Sequence, residues 1–170
     1  MIANKYIQAL VTECRELLEQ MEEALLIMLI VEQAAEDPDI INAIFRIART
    51  IKGSAGMFGI DPITVFAEAT ESVLDRVRSG DIVMSLELTA LFIEAHDHLC
   101  ELINHAAESS RPDEAIDNYG KILIGKLNSY LDGIAAEQHG NSGEVYVLHQ
   151  AKSEKSIADD TILAGGEGLR

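Results

Sequence analysis

Apolar residues recur at helical spacing along most of the chain, and this pattern predicts five amphipathic helices. A stripe with intervals of three and four residues indicates a helix, because one turn takes 3.6 residues. The first stripe lies between residues 5 and 32, and its helix must end before Pro38, since proline disfavours helical dihedrals in the preceding residue. The stripes are Ile7, Leu10, Cys14, Leu17, Met21, Leu25 and Met28 in the first helix, Ile40, Ile44, Ile47, Ala48, Ile51 and Ala55 in the second, Leu88, Leu91, Ala95, Leu99, Leu102 and Ala106 in the fourth, and Ile116, Tyr119, Leu123, Leu127, Tyr130 and Ile134 in the fifth.

Capping and turn residues mark the ends of the later helices. Asp61 is the expected cap of the third helix, with Pro62 at the first helical position, and Gly80 supplies the turn after its end. Ser85 is the expected cap of the fourth helix and Ser110 that of the fifth. Five such helices with short connections predict an all-α fold, an antiparallel helical bundle.

The length of 170 residues suits one domain and a tail. We assign residues 1–136 to the helical bundle. Residues 137–170 hold five of the twelve glycines and lose helical periodicity, so they are predicted to be a linker or mobile tail. Within them, residues 144–149 (EVYVLH) fit either a short strand or a docking peptide.

The net charge excludes some classes of partner. With 13 basic and 29 acidic residues the chain carries −16, which disfavours binding to nucleic acid and to anionic lipid. The longest apolar run, residues 24–31, is far shorter than the roughly 20 residues of a membrane span, and no signal-peptide pattern is present. Cys14 and Cys100 lie on apolar stripes without a disulfide framework. We therefore expect protein partners, no membrane insertion and a cytoplasmic location.

A basic ridge lies on the second helix, within residues 45–59 (FRIARTIKGSAGMFG). Its members, at spacing i, i+3 and i+6, are Arg46, Arg49 and Lys52. Such a ridge is usually a solvated helix face, but three glycines adjoin it.

The three glycines are Gly53, Gly56 and Gly59. Each costs roughly 1 kcal/mol in a helix, so packing alone does not favour them. A bare surface for close contact with a partner explains them better, and a tight helix crossing at Gly53 and Gly56 is the structural alternative.

This segment resembles the phosphotransfer motif of the histidine-phosphotransfer (HPt) family. In that family a helix bears histidine, two further residues, Lys-Gly, and another glycine six positions beyond the first. Lys52, Gly53 and Gly59 match the pattern, and the flanking residues that match the branch of CheA-type chemotaxis kinases are Thr50, Ile51, Ser54 and Gly56. The histidine position holds Arg49.

The resemblance continues into the third helix. It implies that Glu71 is the carboxylate that orients the histidine ring in chemotaxis kinases, which makes Glu71 a candidate partner for Arg49 here. Glu68 stands three residues earlier, where that branch often has a second histidine. The likeness extends over about residues 1–136.

The resemblance implies a phosphorelay signalling domain that cannot carry phosphate as written. Neutral imidazole can attack phosphorus, whereas a guanidinium stays protonated in proteins and has no free lone pair. The implied partners are a kinase ATP-binding domain and a response-regulator receiver domain, with no cofactor and no enzyme activity of the domain alone. The chain could then be a fragment of a histidine kinase, and Arg49 either natural or engineered.

Two other functions stay open at this point. Arg49 beside Lys52 would suit an adaptor or decoy that binds the acidic site of a receiver without transferring phosphate. A helical bundle with a purely structural role is the third reading.

The histidines offer no replacement nucleophile and no metal site. His96 and His98 are two residues apart, whereas a helical metal pair needs a spacing of three or four. His98 follows Glu94 by four residues and His105 follows Glu101 by four, which predicts ion pairs on the surface.

Overall fold

The computed structural model describes residues 2–139, with side chains as far as Ile134. Its elements are α1 (Ile2–Ile30), a 3-10 helix (Glu32–Glu36), α2 (Pro38–Met57), α3 (Asp61–Arg78), α4 (Leu86–Ala107) and α5 (Glu114–His139). Within these residues there is no strand. The predicted all-α bundle of five helices is confirmed.

The first four helices form a ring around the core. α2 packs against α1 and α3, and α4 packs against α1 and α3. The edge between α2 and α3 therefore lies opposite the edge between α1 and α4. α5 approaches α4, where the Tyr119 hydroxyl lies 3.5 Å from Glu94 and the Lys126 ammonium 3.7 Å from the same carboxylate.

The core is built from one apolar stripe of each helix. Leu25, Ile44, Leu74 and Leu88 are fully buried, and each such side chain stabilises the fold by about 1.5–3 kcal/mol. In α1 the stripe passes through Leu18, at 2% exposure, and not through the predicted Leu17, which is only half-buried.

The ends of the helices confirm one predicted cap and correct two. Ser85 Oγ accepts from the Leu88 amide at 3.0 Å, as predicted. Asp61 is the first helical residue of α3, and no side chain caps that helix. At α5 the carboxylate of Asp113 accepts from the Ile116 amide at 2.9 Å, so Ser110 is not the cap.

A compact unit comprises the chain as far as Leu131, and a second unit begins at Asp132. The predicted tail beyond residue 139, including residues 144–149, lies outside the described residues. None of the helices between residues 2 and 139 combines the length and the apolar character that a membrane span requires.

Candidate functional site

The outer face of α2 carries two exposed guanidinium groups one turn apart, those of Arg46 and Arg49. Ile44, Ile47 and Ile51 occupy the buried face, so the helical period directs both arginines to solvent. Between residues 2 and 139, neither guanidinium has a hydrogen bond or an ion-pair partner. This face is open to a partner.

Lys52 lies on the flank of α2 that faces α3, and its ammonium group is 2.5 Å from Glu71 Oε2. The two side chains are 31% and 14% exposed. This ion pair corrects the expectation that Glu71 would pair with Arg49. Arg49 is exposed and forms no ion pair with Glu71 in the described structure, whereas Lys52, one turn later, reaches the half-buried carboxylate.

The glycines on this face lie in open space. A Cβ atom at Gly53 would meet no atom within 4 Å, and one at Gly56 would meet only Thr64 Cγ2 at 3.9 Å. A helix crossing therefore does not require either glycine, and the surface of α2 is bare at both positions. Gly59 ends the segment in the left-handed region, with φ of +66°.

Glu68 is exposed on α3, one turn before Glu71. The face thus presents free guanidinium groups from α2, a neutralised Lys52–Glu71 pair, and a carboxylate from α3. Guanidinium donates hydrogen bonds and cannot attack phosphorus, so this arrangement can bind anionic groups but offers no nucleophile of its own.

Two histidines of α4 are buried, which corrects the predicted surface ion pair of His98. His98 is 3% exposed, and its ring centroid lies 4.5 Å from that of Phe66 and 5.8 Å from that of Tyr119. Nδ1 is buried without a hydrogen-bond partner in the described chain. Burial lowers the pKa of His98.

His96 is buried but satisfied by hydrogen bonds. Nε2 lies 3.0 Å from the carbonyl oxygen of Leu18 and 3.7 Å from Cys100 Sγ, while Nδ1 lies 3.0 Å from Asp97 Oδ1. The Cys100 sulfur, followed by Asp97 and Leu18, raises the pKa of His96 to about 9 against the opposing effect of burial.

His105 also departs from prediction, since its Nδ1 is 2.7 Å from Ser110 Oγ and it forms no ion pair with Glu101 in the described structure. Across residues 2–139, no three His, Cys, Asp or Glu side chains are grouped so as to hold a metal ion.

The spacing of apolar residues in the sequence could have predicted that both α4 histidines are buried. His98 continues the apolar spacing of Leu91, Ala95 and Leu102, and the parallel series is Phe92, His96, Leu99 and Ile103. Intervals of four and three would have placed both on the inner face, where the prediction instead followed the acidic neighbours.

The family model of the Hpt domain matches residues 5–109. The chain is 34% identical over 121 residues to the chemotaxis protein CheA of Rhizobium meliloti, covering 71% of this chain and 15% of that protein. It is 31% identical over 162 residues to CheA of Salmonella typhimurium, covering 92% and 22%. The chain thus spans less than a quarter of the length of these relatives.

The fold is similar to the crystal structure of the phosphorylated P1 domain of CheA3 in complex with CheY6 from R. sphaeroides. The TM-score is 0.64 at 24% identity, and the match covers 78% of this chain and 97% of that one.

Proposed function

The chain belongs to the Hpt domain family, and we propose that it is the phosphotransfer-type domain of a CheA-type chemotaxis kinase with Arg49 at the acceptor position. The kinase activity of the much longer relatives would lie in domains other than this one. On this proposal the domain carries no phosphate as written.

One observation supports this assignment above the others: Arg49 is exposed on α2, three residues before a lysine that reaches a glutamate of α3. Phosphotransfer needs an acceptor side chain that a large partner domain can reach. Gly53 and Gly56 leave the surface beside Arg49 bare, as a close approach requires.

The proposed partners are a kinase ATP-binding domain and a receiver domain. The similar P1 domain is described in a complex with CheY6, which supports a receiver as partner. Arg46 and Arg49 give the face a positive charge in a chain of net charge −16, so this face is suited to an acidic receiver site.

The variant Arg49→His tests the assignment. Incubated with the ATP-binding domain of a CheA kinase and γ-labelled ATP, it should gain a phosphoryl group on imidazole, whereas the parent chain should gain none. Addition of the cognate receiver should then remove the label. Arg46→His is the matched control, since it places imidazole on the same face one turn away and should stay unlabelled.

If folded Arg49→His stays unlabelled, or if Arg46→His is labelled equally well, Arg49 does not occupy the acceptor position. Circular dichroism of both variants shows whether the helical fold is intact.

A second candidate function is that of an adaptor that binds a receiver without phosphate transfer. The free guanidinium groups of Arg46 and Arg49 favour it, because charge attraction of this kind speeds association at low salt. Calorimetric titration of the parent chain with the receiver should show binding that weakens from low to high ionic strength and is lost in Arg49→Glu. Absence of binding at low salt would remove this candidate.

A further inference from the structure

A second exposed surface lies at one end of the bundle and is apolar. It comprises large side chains at the end of α1, in the connection between α3 and α4, and at the start of α4, and we call it the apolar end. Its members are Leu26, Ile30, Val31, Val83 and Leu86. Ile30 is 83% exposed, Val83 79% and Leu86 69%. Such exposure of large apolar side chains to water is unfavourable, because burial of apolar area stabilises a folded domain.

These side chains share one end because α1 and α4 are antiparallel. Gln8 Nε2 donates to the carbonyl oxygen of Ala107 at 3.0 Å, and further along α1 the Leu18 carbonyl meets His96 at 3.0 Å. From this pair Ile30 lies twelve residues, or about 18 Å, along α1, and Leu86 lies ten residues, or about 15 Å, along α4, so the two stand within about 3 Å of the same level.

Carboxylates adjoin the apolar end along the chain. Residues 22–39 contain six acidic residues and no Lys or Arg, and residues 79–94 contain three acidic residues and no Lys or Arg. The arginines nearest to Val83 and Leu86 along the chain are already paired, since Arg76 lies 3.2 Å from Asp81 and Arg78 lies 2.8 Å from Asp75. The rim of this surface is therefore anionic.

We propose that the apolar end docks a basic amphipathic helix of a partner protein. Leu26 and Ile30 stand on successive turns of α1, so they can meet apolar anchors spaced by three and four residues on an incoming helix. Lysines or arginines flanking those anchors would face the acidic rim. A second copy of this chain would bring two anionic rims together, and an anionic lipid surface would be repelled in the same way.

The apolar end belongs to α1 and α4, whereas the Arg49 face belongs to the opposite edge, formed by α2 and α3. Both surfaces can be occupied together, and the docking proposal does not rest on the proposed phosphotransfer role.

A synthetic peptide of eighteen residues, with leucines on one helical face and lysines on the other, is the probe for the full chain. Its NMR titration should shift backbone signals of residues 26–31 and 83–86. The double variant Leu26→Glu/Ile30→Glu should weaken binding by about tenfold or more, as loss of interface anchors does. Val65→Glu, at a 55% exposed valine of α3, should leave the affinity within about twofold of the parent's, because that valine lies outside the apolar end.

Each contrary result overturns the proposal. One is equal binding of a peptide with the same composition in scrambled order. A second is peptide-induced NMR shifts centred on Val65 and the end of α2. A third is a peptide affinity that the double variant leaves unchanged. A fourth is self-association of the chain that the double variant abolishes. Sedimentation without peptide detects the last. Binding of the chain to phosphatidylcholine vesicles, lost in the double variant, would show a lipid surface as the occupant instead.

Discussion

Helices α2 and α4 place basic side chains in opposite environments. α2 directs Arg46 and Arg49 to solvent on a glycine-lined face, while α4 buries His96 and His98 against its neighbours. A guanidinium is always charged, so it stays on the surface unless it is paired. Imidazole can shed its proton, and it can enter a core either neutral, as His98 does, or charged with acceptors on both nitrogens, as His96 does.

This difference predicts that substitutions in the two helices affect different properties of the protein. Changes on the α2 face should alter partner recognition and leave stability nearly unchanged. Changes around the α4 histidines should alter stability, and they should do so in a pH-dependent manner.

The largest expected effect concerns His96. Its pKa is raised to about 9 from an unfolded value near 6.5, so the stability from its protonation is fully present below pH 6.5 and is lost as the pH rises towards 9. At 1.36 kcal/mol per pH unit this is on the order of 3 kcal/mol. Urea unfolding at steps from pH 6 to 9 should show this decline in the parent chain.

The variant His96→Gln cannot gain a proton, so its free energy of unfolding should be much flatter over the same pH range. If the parent curve is already flat, or if the variant keeps the parent's slope, His96 is not charged in the folded protein.

The next effect concerns the glycine of α5 that lies against His98. A Cβ atom at Gly120 would stand 2.6 Å from His98 Nε2, and the ring cannot yield easily because Phe66 and Tyr119 flank it. Gly120→Ala should therefore destabilise the fold by about 1–3 kcal/mol in urea unfolding.

Gly125→Ala, on the same helix, is the matched control. A Cβ atom there meets nothing within 4 Å, so the alanine should stabilise α5 by about 0.5–1 kcal/mol through helix propensity. Equal effects of the two substitutions would show that His98 does not pack against Gly120.

His98 should give a pH dependence of opposite sign to that of His96. Burial lowers its pKa, against the opposing charges of Glu101 and Asp117, so its contribution to stability is present above pH 6.5 and declines as the pH falls below it. His98→Phe should remove this acid-side decline in urea unfolding and leave the alkaline side unchanged. A variant that alters the alkaline side instead would contradict the assignment of the two histidines.

The smallest effects belong to the α2 face. A double-mutant cycle of Lys52→Met and Glu71→Gln should give a coupling of only about 0.2–1 kcal/mol, because the pair is partly exposed. Arg49→Ala should change the free energy of unfolding by less than about 0.5 kcal/mol. A larger loss for Arg49→Ala would mean that this residue supports the fold and is not primarily a contact residue.

Much of the fold could be predicted from the sequence because helix formation is largely a local property. The intervals between apolar residues located four of the five helices, and Asp61-Pro62 with Gly80 marked the ends of the third. Ser85 was recognised as a cap by its place before an apolar run. The Hpt family was also accessible from residues 45–59 alone, since Lys52, Gly53 and Gly59 lie within one short segment of the chain. Prediction failed where two nearby residues could each cap the same helix, since Ser110 was predicted to cap α5 and Asp113 does so.

The sequence by itself determined the helices, the negative charge and the motif around Arg49, because each depends on residues close together along the chain. Only the tertiary structure decided that Glu71 pairs with Lys52, that the His98 ring lies against Phe66 and Tyr119, and that apolar side chains of α1 and α4 share one exposed end. Those outcomes depend on which helix covers which face. Packing between segments far apart in sequence sets that arrangement, and helical periodicity does not encode it.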